Sequence, residues 1–191
     1  MNRSSGLKCI ASLTVALMLG ACAMDNEESE DFEQDEPAQL GELAQELAAG
    51  QVVKFQNSKS GRCIGVDGAS TANGALLKQF TCADAANQRW EVRRSGTKHM
   101  FINAKSGKCM GVDGASVSPG ANIGQYNCGN FAPNQSWVMA DGDNDLRFNL
   151  VNDKSGLCIG VDGGSTANGA QLKQFGCNFT APNQDWSVIL Q

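Results

Sequence analysis

The chain has 191 residues, with 22 glycines, eight cysteines, 6 % aromatic residues and a formal net charge of −5. That length suits one ordinary domain with segments left over, and the glycine-rich, aromatic-poor composition favours many tight turns and short strands over a helical bundle. The charge is uneven: residues 22–50 hold ten acids and no base, whereas 51–191 hold 13 basic and 10 acidic residues, with Arg93-Arg94 the only adjacent basic pair, so no clustered basic surface for nucleic acid is present.

Arg3 and Lys8 precede an apolar run from Cys9 to Leu19. The run is too short to span a bilayer comfortably. A charged start before an apolar middle is the layout of a secretory signal peptide, here residues 1–21. It ends in Leu19-Gly20-Ala21-Cys22, which resembles the lipobox of bacterial lipoproteins. The resemblance implies cleavage before Cys22, lipidation of Cys22 and, because Ala23 and not Asp follows, an outer-membrane location. More than one acyl chain would give stable membrane anchoring where a single chain does not. The plainer alternative is a secreted protein cleaved near Ala23.

Residues 22–50 then read as an acidic linker. Residues 23–37 have too little apolar content to fold, so disorder is expected, and self-repulsion should extend them. Leu40, Leu43 and Leu47 share one helical face ended by Gly50. A helix that short is marginal alone, so a spacer is the expectation.

From residue 51 onward the chain repeats itself. The 24 residues Lys59 to Cys82 return as Lys105 to Cys128 and as Lys154 to Cys177, and each copy is followed by Asn-Gln-x-Trp ending at Trp90, Trp137 or Trp186. A unit this small cannot bury its own apolar face, so the three copies must share one core. The repeats fall at about 51–98, 99–145 and 146–191. With Cys22 assigned to lipid, Cys63, Cys82, Cys109, Cys128, Cys158 and Cys177 remain, paired at a spacing of 19 in every copy. Export implies an oxidising compartment, and repeat symmetry selects Cys63–Cys82, Cys109–Cys128 and Cys158–Cys177 from the possible pairings. Asn73-Gly74, Asn168-Gly169, Pro119-Gly120 and the repeated Asp67-Gly68, Asp113-Gly114 and Asp162-Gly163 mark turns, and runs such as Phe148-Asn149-Leu150-Val151 read as strands. The fold class is all-β.

Cys-Ile-Gly-Val or Cys-Met-Gly-Val, then Gln-Phe-x-Cys or Gln-Tyr-x-Cys, then Asn-Gln-x-Trp, resembles the ricin-B-type lectin domain over the whole of 51–191. The resemblance implies a β-trefoil of twelve strands, a six-stranded barrel capped by three hairpins. It also implies a monomer that binds carbohydrate, in polysaccharides or glycoconjugates, without cleaving it. The alternative is a trefoil that has lost sugar binding and serves protein partners, since a fold does not fix a function.

No catalytic constellation accompanies the repeats. His99 is the sole histidine and reads as a surface residue at a strand end, and Glu91 is the domain's only glutamate, whereas glycoside hydrolysis needs facing carboxylates. No cofactor is implied. Metal is unsupported: Cys-x-x-Cys is absent, and the acidic stretch Asp141 to Asp145 lacks the glycine and closing glutamate of a calcium loop, so it reads as an exposed turn.

A sugar site needs an aromatic platform for the C–H face of the ring and fixed polar partners for its hydroxyls. By the resemblance, the platforms are Phe80, Tyr126 and Phe175, and the polar partners are Asn87 with Gln88, Asn134 with Gln135 and Asn183 with Gln184. Trp90, Trp137 and Trp186 are core. The chain departs from the family two residues after the first cysteine of each copy, where glycine (Gly65, Gly111, Gly160) replaces the hydroxyl-binding aspartate. Asp67, Asp113 and Asp162 lie two residues further on, a shift that keeps the same strand face. They either reach the ligand or cap their own Asp-Gly turns. Phenylalanine is often buried, so Phe80 and Phe175 could instead be core, whereas the hydroxyl of Tyr126 suits a half-wet position.

Overall fold

The computed structural model describes residues 47–140 and 147–191. The signal peptide, Cys22, the acidic run with Leu40 and Leu43, and the Asp141–Asp145 stretch lie outside the described residues.

Each repeat supplies four strands. The first gives β1 (Val52–Asn57), β2 (Cys63–Val66), β3 (Leu77–Phe80) and β4 (Trp90–Ser95). The second gives β5 (Lys98–Asn103), β6 (Cys109–Val112), β7 (Ile123–Tyr126) and β8 (Trp137–Ala140). The third gives β9 (Arg147–Asn152), β10 (Cys158–Val161), β11 (Leu172–Phe175) and β12 (Asp185–Leu190). Strands β1, β4, β5, β8, β9 and β12 pair in a closed antiparallel ring, so the barrel has no open sheet edge. The hairpins β2–β3, β6–β7 and β10–β11 meet one another through single bridges at Leu76–Gly124, Lys78–Gln171 and Asn122–Lys173. The chain is a β-trefoil, and each repeat is one lobe.

One side chain per lobe knots the hairpins together. Gln79 is fully buried. Its amide donates to the carbonyls of Ser165 and Ala167 in the neighbouring lobe, both at 2.9 Å, and its oxygen accepts from the Ser60 hydroxyl at 2.7 Å. Gln125 and Gln174 repeat the arrangement. A buried amide so completely bonded rigidifies the lobe junction, whereas a truncated one would leave backbone groups unpaired.

Alternation in the barrel strands explains the shared core. Trp90, Trp137 and Trp186 are wholly buried, and each indole N–H donates to a β2-type carbonyl: Ile64 at 3.3 Å, Met110 at 3.2 Å and Ile159 at 3.1 Å. Phe55 and Phe101 meet edge-to-face at 4.7 Å, the preferred aromatic geometry. The disulfides Cys63–Cys82, Cys109–Cys128 and Cys158–Cys177 are all formed, each contributing about 3 kcal/mol by loop entropy.

Two expectations fail. His99 is not a surface residue: it is 2 % exposed. It is the second residue of β5, and the second residues of β1 and β9 are the buried Val53 and Phe148. Strand alternation turns all three into the barrel. Leu47, assigned by its sequence pattern to a spacer helix, is buried in the main apolar core, and the backbone N–H of Gly50 bonds to Val92 O at 2.8 Å.

Candidate functional site

Each lobe brings the corresponding candidate residues together beside its hairpin. The β2 and β3 strands pair Cys63 with Phe80 and Gly65 with Lys78, so the ring of Phe80 and the glycine lie on one small patch. A single-turn 3-10 segment at Asp67–Ala69 follows β2, and another at Ala86–Gln88 precedes β4. Phe80, Tyr126 and Phe175 are half-buried, neither core nor fully solvated, as a stacking platform requires.

The glycines at the family's aspartate position have a steric cause. A Cβ on Gly65 would stand 3.0 Å from Gln88 Cγ and 3.2 Å from Phe80 Cδ2. On Gly160 it would meet Gln184 Cγ at 2.9 Å and Phe175 Cδ2 at 3.2 Å. On Gly111 it would meet Gln135 Cγ at 2.9 Å, the Asn134 carbonyl oxygen at 3.2 Å and Tyr126 Cδ2 at 3.3 Å. The aromatic ring and the glutamine close over the position, so a side chain there would have to push them aside.

The carboxylate comes instead from two residues along. Among the described residues, the side-chain partners of the three aspartates are Lys78, Tyr126 and Lys173. They reach across the hairpin. Asp67 pairs with Lys78 Nζ and Asp162 with Lys173 Nζ, each at 2.7 Å. In the middle lobe the lysine is replaced by Gly124, and the Tyr126 hydroxyl donates to Asp113 Oδ1 at 2.9 Å. The tyrosine oxygen occupies the missing side chain's space: a Cβ on Gly124 would lie 2.9 Å from it. Burial, then the bond to and charge of Asp113, push the Tyr126 phenol far above its ordinary value, so it remains a donor.

Asn and Gln of the Asn-Gln-x-Trp motif divide in role. Gln88, Gln135 and Gln184 are buried. Gln88 accepts from Ala83 N–H at 2.9 Å and donates to Thr81 O at 3.1 Å, and Gln135 and Gln184 bridge their loops likewise. The two ends of each amide clamp the residues on either side of the second cysteine, so these glutamines are framework. Asn87, Asn134 and Asn183 are half-buried. Asn87 and Asn183 each use Nδ2 on the carbonyl of Val66 or Val161, at 3.2 and 3.4 Å, and these bonds leave the amide oxygen uncommitted.

Sequence reasoning missed Lys78 and Lys173. The signal was available: Lys-Gln-Phe in the outer repeats against Gly-Gln-Tyr in the middle one is a paired exchange. The groove therefore offers an aromatic face, a carboxylate held by one neighbour, and an amide oxygen. That set can stack on an apolar ring and accept hydrogen bonds from its hydroxyls.

Residues 51–186 match the model of the ricin-type beta-trefoil lectin domain. Among solved structures, the designed threefold-symmetric protein ThreeFoil is 31 % identical with a TM-score of 0.69, over 72 % of this chain and 97 % of that one. An exo-beta-1,3-galactanase from Clostridium thermocellum is 27 % identical with a TM-score of 0.69, over 74 % of this chain but only 30 % of its own. A ricin B-like lectin of Macrolepiota procera, solved with lactose, shares the fold at 19 % identity and a TM-score of 0.65, over 74 % of this chain and 96 % of that one. No curated protein sequence matches the chain.

Proposed function

The chain belongs to the ricin-type β-trefoil lectin family, and from that premise we propose that it is a non-catalytic carbohydrate-binding module with one saccharide groove per lobe. The observation that carries this reading is the half-buried ring of Phe80, Tyr126 or Phe175 beside a braced aspartate, three times over. The ring takes the C–H face of a sugar, and the aspartate with Asn87, Asn134 or Asn183 takes its hydroxyls. The glutamines stay in the framework. Sites of this kind are weak singly, about −4 kcal/mol at millimolar affinity, and gain roughly 10²–10⁴ in avidity when one polymer spans several. Polysaccharides and clustered glycans are therefore the fitting ligands.

We extend the proposal to location. Leu19-Gly20-Ala21-Cys22 supports lipidation at Cys22 and display from the cell envelope on the acidic run.

The test is glycan-array binding by the intact chain and by the Phe80→Ala/Tyr126→Ala/Phe175→Ala variant. The chain should bind, and the triple variant should lose binding at least a hundredfold while keeping its unfolding cooperativity. An intact fold that binds no glycan would favour the protein-interaction alternative.

A further inference from the structure

Resting on the lectin reading, we propose that the grooves of lobes 1 and 3 select saccharides bearing an anionic substituent, whereas the groove of lobe 2 takes a neutral sugar. The reason is a lysine that each lobe lends to the groove of another.

The turn after β1, β5 and β9 begins Asn-x-Lys or Asn-x-Lys-Ser-Gly in all three copies, with the lysine at Lys59, Lys105 or Lys154. The asparagine of this turn docks on the Asn-Gln segment of the adjoining lobe. Asn103 Nδ2 donates to Asn87 O at 3.0 Å, Asn57 Nδ2 to Asn183 O at 3.2 Å, and Asn152 Nδ2 to Ser136 O at 3.3 Å. The backbone of Lys59 adds a bond to Pro182 O at 3.1 Å. Each lysine is thereby carried to a groove not its own. Lys59 Nζ lies over the third lobe's 3-10 turn, 2.9 Å from where a Cβ on Gly164 would stand. Lys154 Nζ donates to Ala115 O in the second lobe at 2.8 Å. Lys105 holds the matching position in the second repeat, in the turn that Asn103 docks on the first lobe.

The charges then differ by lobe. In lobe 1, Asp67 is balanced by Lys78, and Lys105 is surplus. In lobe 3, Asp162 is balanced by Lys173, and Lys59 is surplus. In lobe 2, Tyr126 replaces the bracing lysine with a neutral hydroxyl, so Asp113 and Lys154 cancel. Counting the aspartate and the two cations named for each lobe, lobes 1 and 3 have one positive charge left over and lobe 2 has none. A carboxylate or sulfate on the bound sugar would be rewarded only in the charged pair. The ammonium groups are exposed, so the gain is that of a surface ion pair, about fivefold in affinity, and it should fade at 1 M salt, where the screening length is about 3 Å.

The experiment uses the intact chain on an array of matched glycan pairs differing only by one charged group: uronic acid against its methyl ester, sialylated against unsialylated, and sulfated against unsulfated. The expected result at low salt is about fivefold tighter binding to the charged member, abolished by 1 M salt. Lys59→Gln with Lys105→Gln should erase the preference and keep neutral binding, whereas Lys154→Gln should leave the preference intact. The carboxylate and sulfate arms tell which anion is read. Equal binding within every pair overturns this inference and leaves the lectin reading standing. Preference that survives the double variant, or a double variant that also loses neutral sugar with an unchanged unfolding midpoint, overturns it too. An absence of binding to every pair overturns both.

Discussion

The outer lobes and the middle lobe solve one packing problem in two ways. Around Asp67 and Asp162 a lysine from the paired strand braces the carboxylate and a phenylalanine forms the platform. Around Asp113 the lysine is gone, its space at Gly124 is filled by the Tyr126 ring edge and hydroxyl, and that hydroxyl reaches the same carboxylate. The turns diverge alongside. Asn73 Oδ1 accepts from Asn127 N–H, and Asn168 Oδ1 from Thr81 N–H, both at 2.7 Å, whereas Pro119 stands at the matching place in the middle repeat with no such acceptor. What persists through these exchanges is a fixed carboxylate beside a half-buried ring. What varies is the charge of the group that fixes it.

The largest test of this comparison is steric. Gly111→Ala should destabilise the protein by about 2–3 kcal/mol, and Gly65→Ala by about 1–2. Both added methyls press on a glutamine Cγ, at 2.9 and 3.0 Å, but only the one on Gly111 also meets a backbone oxygen, that of Asn134 at 3.2 Å. Side chains can yield by rotamer shifts and backbone yields less. Urea unfolding of the two variants measures the difference, and equal losses would mean that the middle groove is no more tightly closed than its neighbours.

Much of this frame was legible in the sequence. The spacing of 19 between cysteines gave the disulfides and the threefold repeat gave one shared core, both from repetition, whereas the place of Trp90, Trp137 and Trp186 in that core was implied by the family resemblance. The groove was legible in part. Phe80, Tyr126 and Phe175 are half-buried at the positions the motif marks. The two-sided use of Gln88, Gln135 and Gln184 was not readable, because their partners lie in a loop whose path depends on the fold. The need for Gly65, Gly111 and Gly160 was hidden for the same reason: the atoms that exclude a side chain come from residues 15 to 24 positions away.

A second test exchanges one solution for the other. Gly124→Lys alone places a side chain against the Tyr126 hydroxyl and should cost about 1–2 kcal/mol. Tyr126→Phe alone removes the bond to Asp113 and should cost about 1 kcal/mol. Together they rebuild the outer-lobe arrangement, so the double variant should be more stable than the sum predicts by about 1–2 kcal/mol. A double-mutant cycle by chemical denaturation reads this coupling directly, and simple additivity would show that the two positions do not substitute for each other.

The smallest effect lies inside the barrel, where the middle lobe has His99 at the strand position that Val53 and Phe148 hold in the others. Its ring stacks on Phe101 at 6.1 Å, and among the described residues neither ring nitrogen has a partner at hydrogen-bonding geometry. Burial first, and then the positive charge of Arg94, hold its pKa below the ordinary value, while a backbone contact at Trp137 opposes weakly. The unfolded chain, whose histidine titrates near 6.5, therefore takes up a proton more readily than the folded one. Stability is full above that pH and falls as pH drops below it, until the folded form also protonates. His99→Phe keeps the stacking volume and removes the titration. Thermal unfolding from pH 8 to pH 5 should show the parent losing about 1 kcal/mol that the variant retains. The same slope in both proteins would mean that the acid loss arises elsewhere, and that a lone imidazole in the barrel is as indifferent to pH as the valine and phenylalanine it replaces.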